Sequence, residues 1–375
     1  MASCASGPVV GIDVTPLLGA RTGVGVFVDG LISQLTARHR SELRAYGLTG
    51  RGWRRLGAVV PAGVALRHLP LPAGAALRCW GRVDAPTVEW WTGRVDVVHG
   101  TNFVVPPSRR AARLVSVHDL TSLHLPELCE PAARRYPDLI RRAISGGAWV
   151  HATSAAVATE VVEYLGAAPE RVRVIYSGVT QPQVLRPSTA RGADPPYVLA
   201  LGTVEPRKDL PALVAAFDRI AADHPALQLR IAGPEGWGEA ALAQAIEAAT
   251  HRRRIIRLGW VAGRDALLGG ATVLAYPSRY EGFGFPPLEA MARGVPVVAT
   301  AVAALPEVLG DAALLVPAGD ADALADALDR VIGDDALRTG LIDAGYHRVA
   351  RYSWEATGDA FERLYEELGR AGPGR

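Results

Sequence analysis

Two glutamates, Glu281 and Glu289, bracket the run Gly282-Phe283-Gly284-Phe285-Pro286-Pro287, the stretch of the chain with the most chemical content. A strand-like segment ends near Tyr276, glycines let the backbone approach a ligand closely, and Pro286 or Pro287 opens a helix whose first N–H groups lack internal partners. Free amides at the positive end of a helix dipole suit a phosphate or a developing oxyanion. The flanking carboxylates suit sugar hydroxyls, because a carboxylate accepts paired hydrogen bonds from a diol. Outside this Gly/Pro context the two glutamates would read as solvated surface charges. A second element, Gly202-Thr203-Val204-Glu205-Pro206-Arg207-Lys208-Asp209-Leu210, sets Arg207 and Lys208 between a strand and a helix start. That is the carboxyl edge of a parallel sheet, where open α/β folds bind ligands. The helix dipole disfavours cations there, so an adjacent pair calls for an anion, and two cations can neutralise a diphosphate without a metal. Lys208 is the one lysine among 40 basic residues, the rest being arginine.

The elements that must carry these residues follow from an alternation of short apolar runs with amphipathic segments, the pattern of parallel sheets with crossover helices. Strands are expected at 8–14, 44–48, 64–69, 95–99, 113–118, 148–152 and 171–176, and again at 197–202, 227–232, 254–258, 271–276, 296–300 and 312–316. Between the two sets, residues 178–196 hold four prolines and no sustained periodicity, which reads as an interdomain linker. The tail from Trp354 to Leu368 gathers Trp354, Ala360, Phe361, Leu364, Tyr365 and Leu368 near one helical face and must pack on something.

At 375 residues and 49% hydrophobic content the chain can bury two cores. A net charge of +2 excludes a general nucleic-acid binder. The charge is uneven: residues 1–187 carry +8 and residues 188–375 carry −6. One reading is mutual attraction across a domain cleft. The other is an anionic partner such as a membrane surface for the first half, met by Arg51, Arg54, Arg55, Arg67, Arg78 and Arg82 interleaved with Trp53 and Trp80. No apolar run approaches the ~18 residues that span a bilayer, and no targeting segment is evident at the start. Three cysteines without ligand-like spacing, Cys4, Cys79 and Cys129, fit a reducing cytoplasm. Asp320-Ala321-Asp322 has the D-x-D form of a metal site but reads better as a helix cap. His99, His118, His124 and His151 lack ligand spacing, so no metal is expected.

The Glu281 to Glu289 spacing, E-x7-E, together with the Gly202 to Leu210 element, resembles retaining glycosyltransferases of family 4, which have the GT-B fold. The likeness extends to Arg21-Thr22-Gly23-Val24-Gly25-Val26-Phe27, Val117-His118-Asp119-Leu120, Thr153-Ser154-Ala155-Ala156 and Val174-Ile175-Tyr176-Ser177-Gly178-Val179. It implies an α/β chain of two Rossmann-like domains with parallel sheets facing across a cleft. Residues 1–182 would form the acceptor domain and 183–353 the nucleotide-sugar domain, and 354–375 a helix returning to the first. By the same resemblance Glu289 holds the ribose hydroxyls and Glu281 sits by the transferred sugar. Backbone at Gly282, Phe283, Gly284 and Phe285 meets sugar or phosphate, and Lys208 with Arg207 binds the diphosphate and stabilises its departing charge. A loop at Gly23 and Gly25 closes on the phosphates. His118 lies near the donor sugar and the acceptor, Asp119 orients the acceptor, and Ser154 contributes to substrate binding. Against this, His118 taken alone reads as a satisfied core histidine at a strand end. The chain has Ser177 where many relatives have Asn, and Thr203 where many have arginine, a charge Arg207 is placed to supply.

The resemblance further implies transfer with retention on one face of the sugar, the leaving diphosphate taking the acceptor proton. That accounts for the lack of a nucleophile and base dyad such as retaining glycosidases use. The nearest likeness is to bacterial mannosyltransferases that use GDP-mannose and build polysaccharide or glycolipid. No cofactor or metal is implied. Partners are the nucleotide sugar and a saccharide, glycolipid or small-molecule acceptor, with peripheral contact to an anionic membrane. The rival readings are a UDP-glucose-type transferase, another GT-B activity such as an epimerase, and a non-catalytic sugar-binding subunit.

Overall fold

Runs such as Val97-Val98-His99-Gly100 and Val297-Val298-Ala299-Thr300 are buried at every position, as parallel strands covered on both faces must be. In the computed structural model, which describes residues 7–19, 22–182 and 193–372, they belong to two sheets. The first contains β1 (Val9–Asp13), β2 (Glu42–Tyr46), β3 (Ala65–Leu66), β4 (Val97–Gly100), β5 (Ala112–Val117), β6 (Trp149–Ala152) and β7 (Val172–Val174), in the order β3-β2-β1-β4-β5-β6-β7. The second contains β8 (Tyr197–Leu201), β9 (Gln228–Ala232), β10 (Ile255–Gly259), β11 (Val273–Tyr276), β12 (Val297–Thr300) and β13 (Ala313–Val316), in the order β10-β9-β8-β11-β12-β13. All pairings are parallel. Every strand coincides with a run expected from the sequence. The largest difference is β3, cut to two residues at the sheet edge, where Pro70 and Pro72 follow and can give no ladder N–H.

Each sheet reverses its strand order once, between β1 and β4 and between β8 and β11. Loops leaving the carboxyl ends of these strand pairs diverge to opposite faces and leave a crevice, the general ligand position of open α/β sheets.

The chain divides into one unit of residues up to Gly178 together with those from Trp354, and a second of Val179–Ser353. The first break lies four residues before the boundary expected at 182/183. Val179 N–H bonds Tyr352 O (3.0 Å) and Gln181 Nε2 reaches Val349 O (3.4 Å), which ties this stretch to the second unit. Most of the proline-rich linker, 183–192, lies outside the described residues.

The helix Trp354–Ala371 packs in the first unit through Phe361, Leu364, Tyr365 and Leu368. It meets the helix Gly23–Arg38 closely: a Cβ on Gly30 would fall 2.3 Å from the Trp354 ring. Thr357 Oγ1 donates to Tyr176 O (2.8 Å), and Arg38 and Arg173 pair with Asp359 and Glu367.

One surface expectation changes and another holds. Trp80 is 3% exposed and its indole donates to Pro86 O (3.1 Å), so it belongs to the core and not to an Arg/Trp docking face. Trp53 remains 41% exposed, with the Arg54 guanidinium over its ring. Asp320 caps the helix Ala321–Gly333 by accepting from the Asp322 and Ala323 amides. Among the described residues no group of three or more His, Cys, Asp or Glu is placed to hold a metal, and no helix is long and apolar enough to cross a membrane.

Candidate functional site

In the second unit the crevice between β8 and β11 is a small open pocket, lined on one side by Gly202, Thr203, Lys208, Tyr276, Pro277 and Ser278. Lys208 reaches it because Pro206–Lys208 forms a single 3-10 turn after β8. The turn ends at Asp209, whose φ of 47° is left-handed and lets the next helix, Leu210–Ile220, start in a new direction. Arg279 secures that turn twice, its amide donating to Arg207 O (2.8 Å) and its Nε pairing with Asp209 Oδ2 (2.9 Å).

Lys208 Nζ donates to Tyr276 OH (2.6 Å) and lies 2.5 Å from Glu281 Oε1. Arg207 Nη1 is 2.7 Å from the same oxygen and also donates to Tyr280 O, while its Nη2 is 3.2 Å from Glu205 Oε2. Burial pushes the Glu281 carboxyl up, but Arg207 and Lys208 outweigh it and hold the group down at about 2. Burial lowers the Lys208 ammonium, with Glu281 working against the shift. The Tyr276 hydroxyl is pushed well up by burial and then by the nearby carboxylate, so it stays protonated.

After Glu281 the chain turns through Gly284, whose φ of 95° favours glycine, into the helix Phe285–Ala292. Pro286 and Pro287 carry no N–H, so the helix presents fewer free amides than its position suggests. The N–H groups of Phe283 and Gly284 make no backbone hydrogen bond among the described residues. Glu289, one turn into the helix, is 6% exposed. Its Oε1 pairs with Arg264 Nη2 at 2.5 Å, while its Oε2 is buried with no partner among the described residues. Burial raises this carboxyl, opposed by Arg264 and Arg293. An unmatched buried carboxylate oxygen beside a cation is a place for a ligand hydroxyl, since leaving it unmet costs about 1–3 kcal/mol.

In the first unit His118 follows β5. Its Nε2–H donates to Thr101 O (2.7 Å), which fixes the tautomer and leaves Nδ1 as the lone-pair nitrogen. The ring stands edge-on to Phe27 and Phe103, and burial lowers its basicity, so it is neutral at pH 7. Its neighbour Asp119 accepts from the Thr121 amide (2.9 Å) and caps the short turn that follows. Ser154 is fully buried and accepts from the Val157 amide as N-cap of the helix Ala155–Leu165. Gly23 and Gly25, expected as a loop, open the helix Gly23–Arg38 behind Thr22, which gives no side-chain cap. The amides of that first turn are the donors the loop was expected to offer. Ala20 and Arg21 lie outside the described residues.

The fold thus gathers Arg207, Lys208 and Glu281 at one crevice, with the loop 282–285 leading to Glu289, and sets His118 and Asp119 at the sheet edge of the first unit. Tyr276, Ser278, Arg264 and Arg279 are additions that sequence reasoning missed.

Two family models cover most of the chain. The family model for glycosyl transferases group 1 matches residues 183–348, and that for a glycosyl transferase 4-like domain matches residues 22–178. The O-antigen chain mannosyltransferase B of Escherichia coli is 29% identical over 271 residues, 69% of this chain and 71% of that one. The D-inositol 3-phosphate glycosyltransferase of a Nocardioides species is 30% identical over 312 residues, 75% and 67% of the two chains. A phosphatidyl-myo-inositol mannosyltransferase of Mycolicibacterium smegmatis is 36% identical over 178 residues, just under half of each chain, at 47% and 46%. Among solved structures, sucrose-phosphate synthase from Thermosynechococcus elongatus superposes with a TM-score of 0.76 at 21% identity, covering 97% of this chain and all of that one. Anabaena HepE, solved with UDP and glucose, gives 0.71 at 16% identity, covering 96% of this chain and 100% of that one.

Proposed function

The chain belongs to the glycosyl transferases group 1, with the GT-B fold, and from that membership we propose that it moves a hexose, mannose from GDP-mannose, onto a hydroxyl of a saccharide, glycolipid or small-molecule acceptor with retention of configuration. The observation that carries this reading is the part-buried cation pair Arg207 and Lys208 at the β8/β11 crevice, followed through the Gly/Pro turn by a carboxylate with an unmatched oxygen.

The roles follow from the chemistry of each group. Lys208 and Arg207 neutralise the diphosphate and stabilise the charge it gains as the glycosidic bond breaks. Glu289 Oε2 accepts from the ribose diol while Arg264 keeps the carboxylate oriented. The Phe283 and Gly284 amides meet sugar or phosphate oxygens, and Glu281 faces the transferred sugar. The acceptor oxygen bonds to the anomeric carbon, the bond from that carbon to the diphosphate oxygen breaks on the same face, and the acceptor proton passes to the departing diphosphate. No side chain then needs to act as nucleophile. His118, neutral and with Nδ1 free of its Thr101 contact, is assigned to the acceptor side.

A thermal-shift screen of GDP, UDP, ADP and their sugars tests the assignment, because a ligand of the folded state raises stability by mass action. GDP and GDP-mannose are expected to give the largest rise. UDP-glucose in their place would reassign the donor, and no rise with any nucleotide would remove the reading. Transfer is expected to persist in EDTA. The exposed face of Arg51, Arg54, Arg55 and Trp53 is proposed as a peripheral contact with an anionic membrane, which requires low-salt pelleting with anionic liposomes and release at high salt.

A further inference from the structure

The charges around the β8/β11 cavity already cancel. Lys208 Nζ and Arg207 Nη1 converge on one oxygen, Glu281 Oε1, at 2.5 and 2.7 Å, and Glu205 Oε2 lies 3.2 Å from Arg207 Nη2. Two cations face two carboxylates. A diphosphate approaching that cluster as it stands meets no net positive charge and finds a carboxylate between the two groups it needs. At a separation of a few ångströms, like charges in a partly buried site repel as strongly as the cations attract. The cavity therefore already holds an anion of its own.

We propose that Glu281 is the resting counter-anion of this cavity, which an incoming diphosphate displaces from Lys208 and Arg207, and that Tyr276 keeps the lysine at the cavity wall during the exchange. The proposal rests on the reading of the cavity as a donor site and adds how that site is held when empty.

Two features of the cavity fit an exchange. Tyr276 holds the ammonium through two contacts that do not involve Glu281: its hydroxyl accepts from Nζ at 2.6 Å, and Nζ lies 4.5 Å from its ring centroid. Lys208 therefore stays in place when the carboxylate leaves. The Glu281 main chain is pinned, its carbonyl accepting from the Ala304 amide at 3.1 Å, so the exchange is a side-chain rotation and needs no loop movement. Ser278, on the same wall, is fully buried, and its hydroxyl already helps to hold the Glu281 carboxyl down in the resting arrangement. Turned off the cations, that carboxylate is free to accept from a sugar hydroxyl, so donor binding itself would arm the residue.

Calorimetric titration with inorganic pyrophosphate, GDP and UDP separates this exchange from the donor reading. Glu281→Gln removes the internal competitor and is expected to bind pyrophosphate about tenfold more tightly than wild type at pH 6. The gain should shrink toward pH 9, because Lys208, buried and without its carboxylate, gives up its proton more readily. Tyr276→Phe is expected to weaken pyrophosphate binding more in the Glu281→Gln background than in wild type, since Tyr276 is then the lysine's remaining holder. Thermal melting of each variant checks that it is folded. Equal or weaker pyrophosphate binding by Glu281→Gln at pH 6, or no binding by any folded variant, overturns the exchange. Tighter pyrophosphate binding by Glu281→Gln, with GDP and UDP bound by none, upholds the exchange and removes the donor reading.

Discussion

Each unit buries a polar network among its parallel strands, and the two are built on opposite principles. In the first unit Tyr365, His99, Ser116 and His151 form a chain with every member at 0% exposure. His151 Nε2–H must donate to Ile175 O (2.9 Å), so His151 Nδ1 accepts from the Ser116 hydroxyl (2.8 Å). Ser116 Oγ then accepts from His99 Nε2–H (2.7 Å), and His99 Nδ1 accepts from the Tyr365 hydroxyl (2.7 Å). One assignment satisfies every link with both imidazoles neutral. In the second unit Arg207, Lys208 and Glu281 are charged, Glu289 Oε2 is unmatched, and a pocket opens beside Lys208. A closed neutral chain specifies packing, here of the terminal helix on the strands. A charged cluster with spare valence is poorly explained by stability, because desolvation offsets most of the attraction within a buried ion pair. The contrast separates what this molecule uses to hold its shape from what it keeps available for a ligand.

The comparison breaks most visibly at Lys208. Lys208→Met leaves the departing diphosphate with Arg207 alone, and transfer (kcat/KM for the donor found in the thermal screen) is expected to fall by about a thousandfold, with a small change in melting temperature. Lys208→Arg is expected to recover only part of this, because a planar guanidinium cannot occupy the place of a compact ammonium under the Tyr276 ring. Near wild-type turnover in Lys208→Arg would make the solitary lysine an accident of an arginine-rich composition.

His118 lies between the two kinds of network. It stacks edge-on to Phe27, as the buried histidines of the chain stack on Phe27 and Phe361, yet only its Nε2 is matched, to Thr101 O. His118→Ala is expected to lower kcat about ten- to a hundredfold while the nucleotide dissociation constant moves less than threefold. Unchanged turnover would move His118 to the structural side of the comparison.

Much of this architecture is legible in the sequence, because parallel strands buried on both faces leave continuous apolar runs and the Gly/Pro turn marks where a strand yields to a helix. Arg207, Lys208, Glu281 and Glu289 stand out because each lies in a local pattern that the bland reading explains badly. What escapes notice is pairing at long range. Tyr276 meets Lys208 across 68 residues, Arg264 meets Glu289 across 25, and Tyr365 meets His99 across 266. No local spacing encodes these. The same limit explains Trp80 and Ser154. Beside arginines a tryptophan looks like a docking residue until its burial and its bond to Pro86 O turn it inward, and the Ser154 cap on the Val157 amide is likewise a contact that its motif does not announce.

The smallest effect expected tests the closed side of the comparison. Tyr365→Phe keeps the ring and removes one hydroxyl, which leaves His99 Nδ1 a buried acceptor without a donor. The loss is expected to be about 1–2 kcal/mol in urea-melt stability at pH 7.5, with transfer unaffected. The pH dependence supplies the sign. Burial holds His151 down at about 3 and His99 well below its ordinary value of 6.5, with the neighbouring histidines adding to the shift. In the unfolded chain both titrate near 6.5, so below that pH the unfolded state binds more protons than the folded one. The contribution is complete above pH 6.5 and is lost as pH falls, at about 1.4 kcal/mol per pH unit for each histidine. The paired carboxylate Glu281, held near 2 against an ordinary 4.5, begins to lose its contribution only below that higher value, so the histidine chain starts to fail first. Stability of wild type should therefore slope downward between pH 6.5 and 5, reduced but not reversed by Asp13, whose buried carboxyl is raised to about 6 and takes its proton first in the folded state. A double His99→Gln, His151→Gln variant should remove that downward slope while leaving the decline of the paired carboxylate below pH 4.5. A flat wild-type profile from pH 7.5 to 5 would mean that the histidine chain accepts protons in place, and its neutrality would then no longer distinguish it from the charged cluster around Lys208.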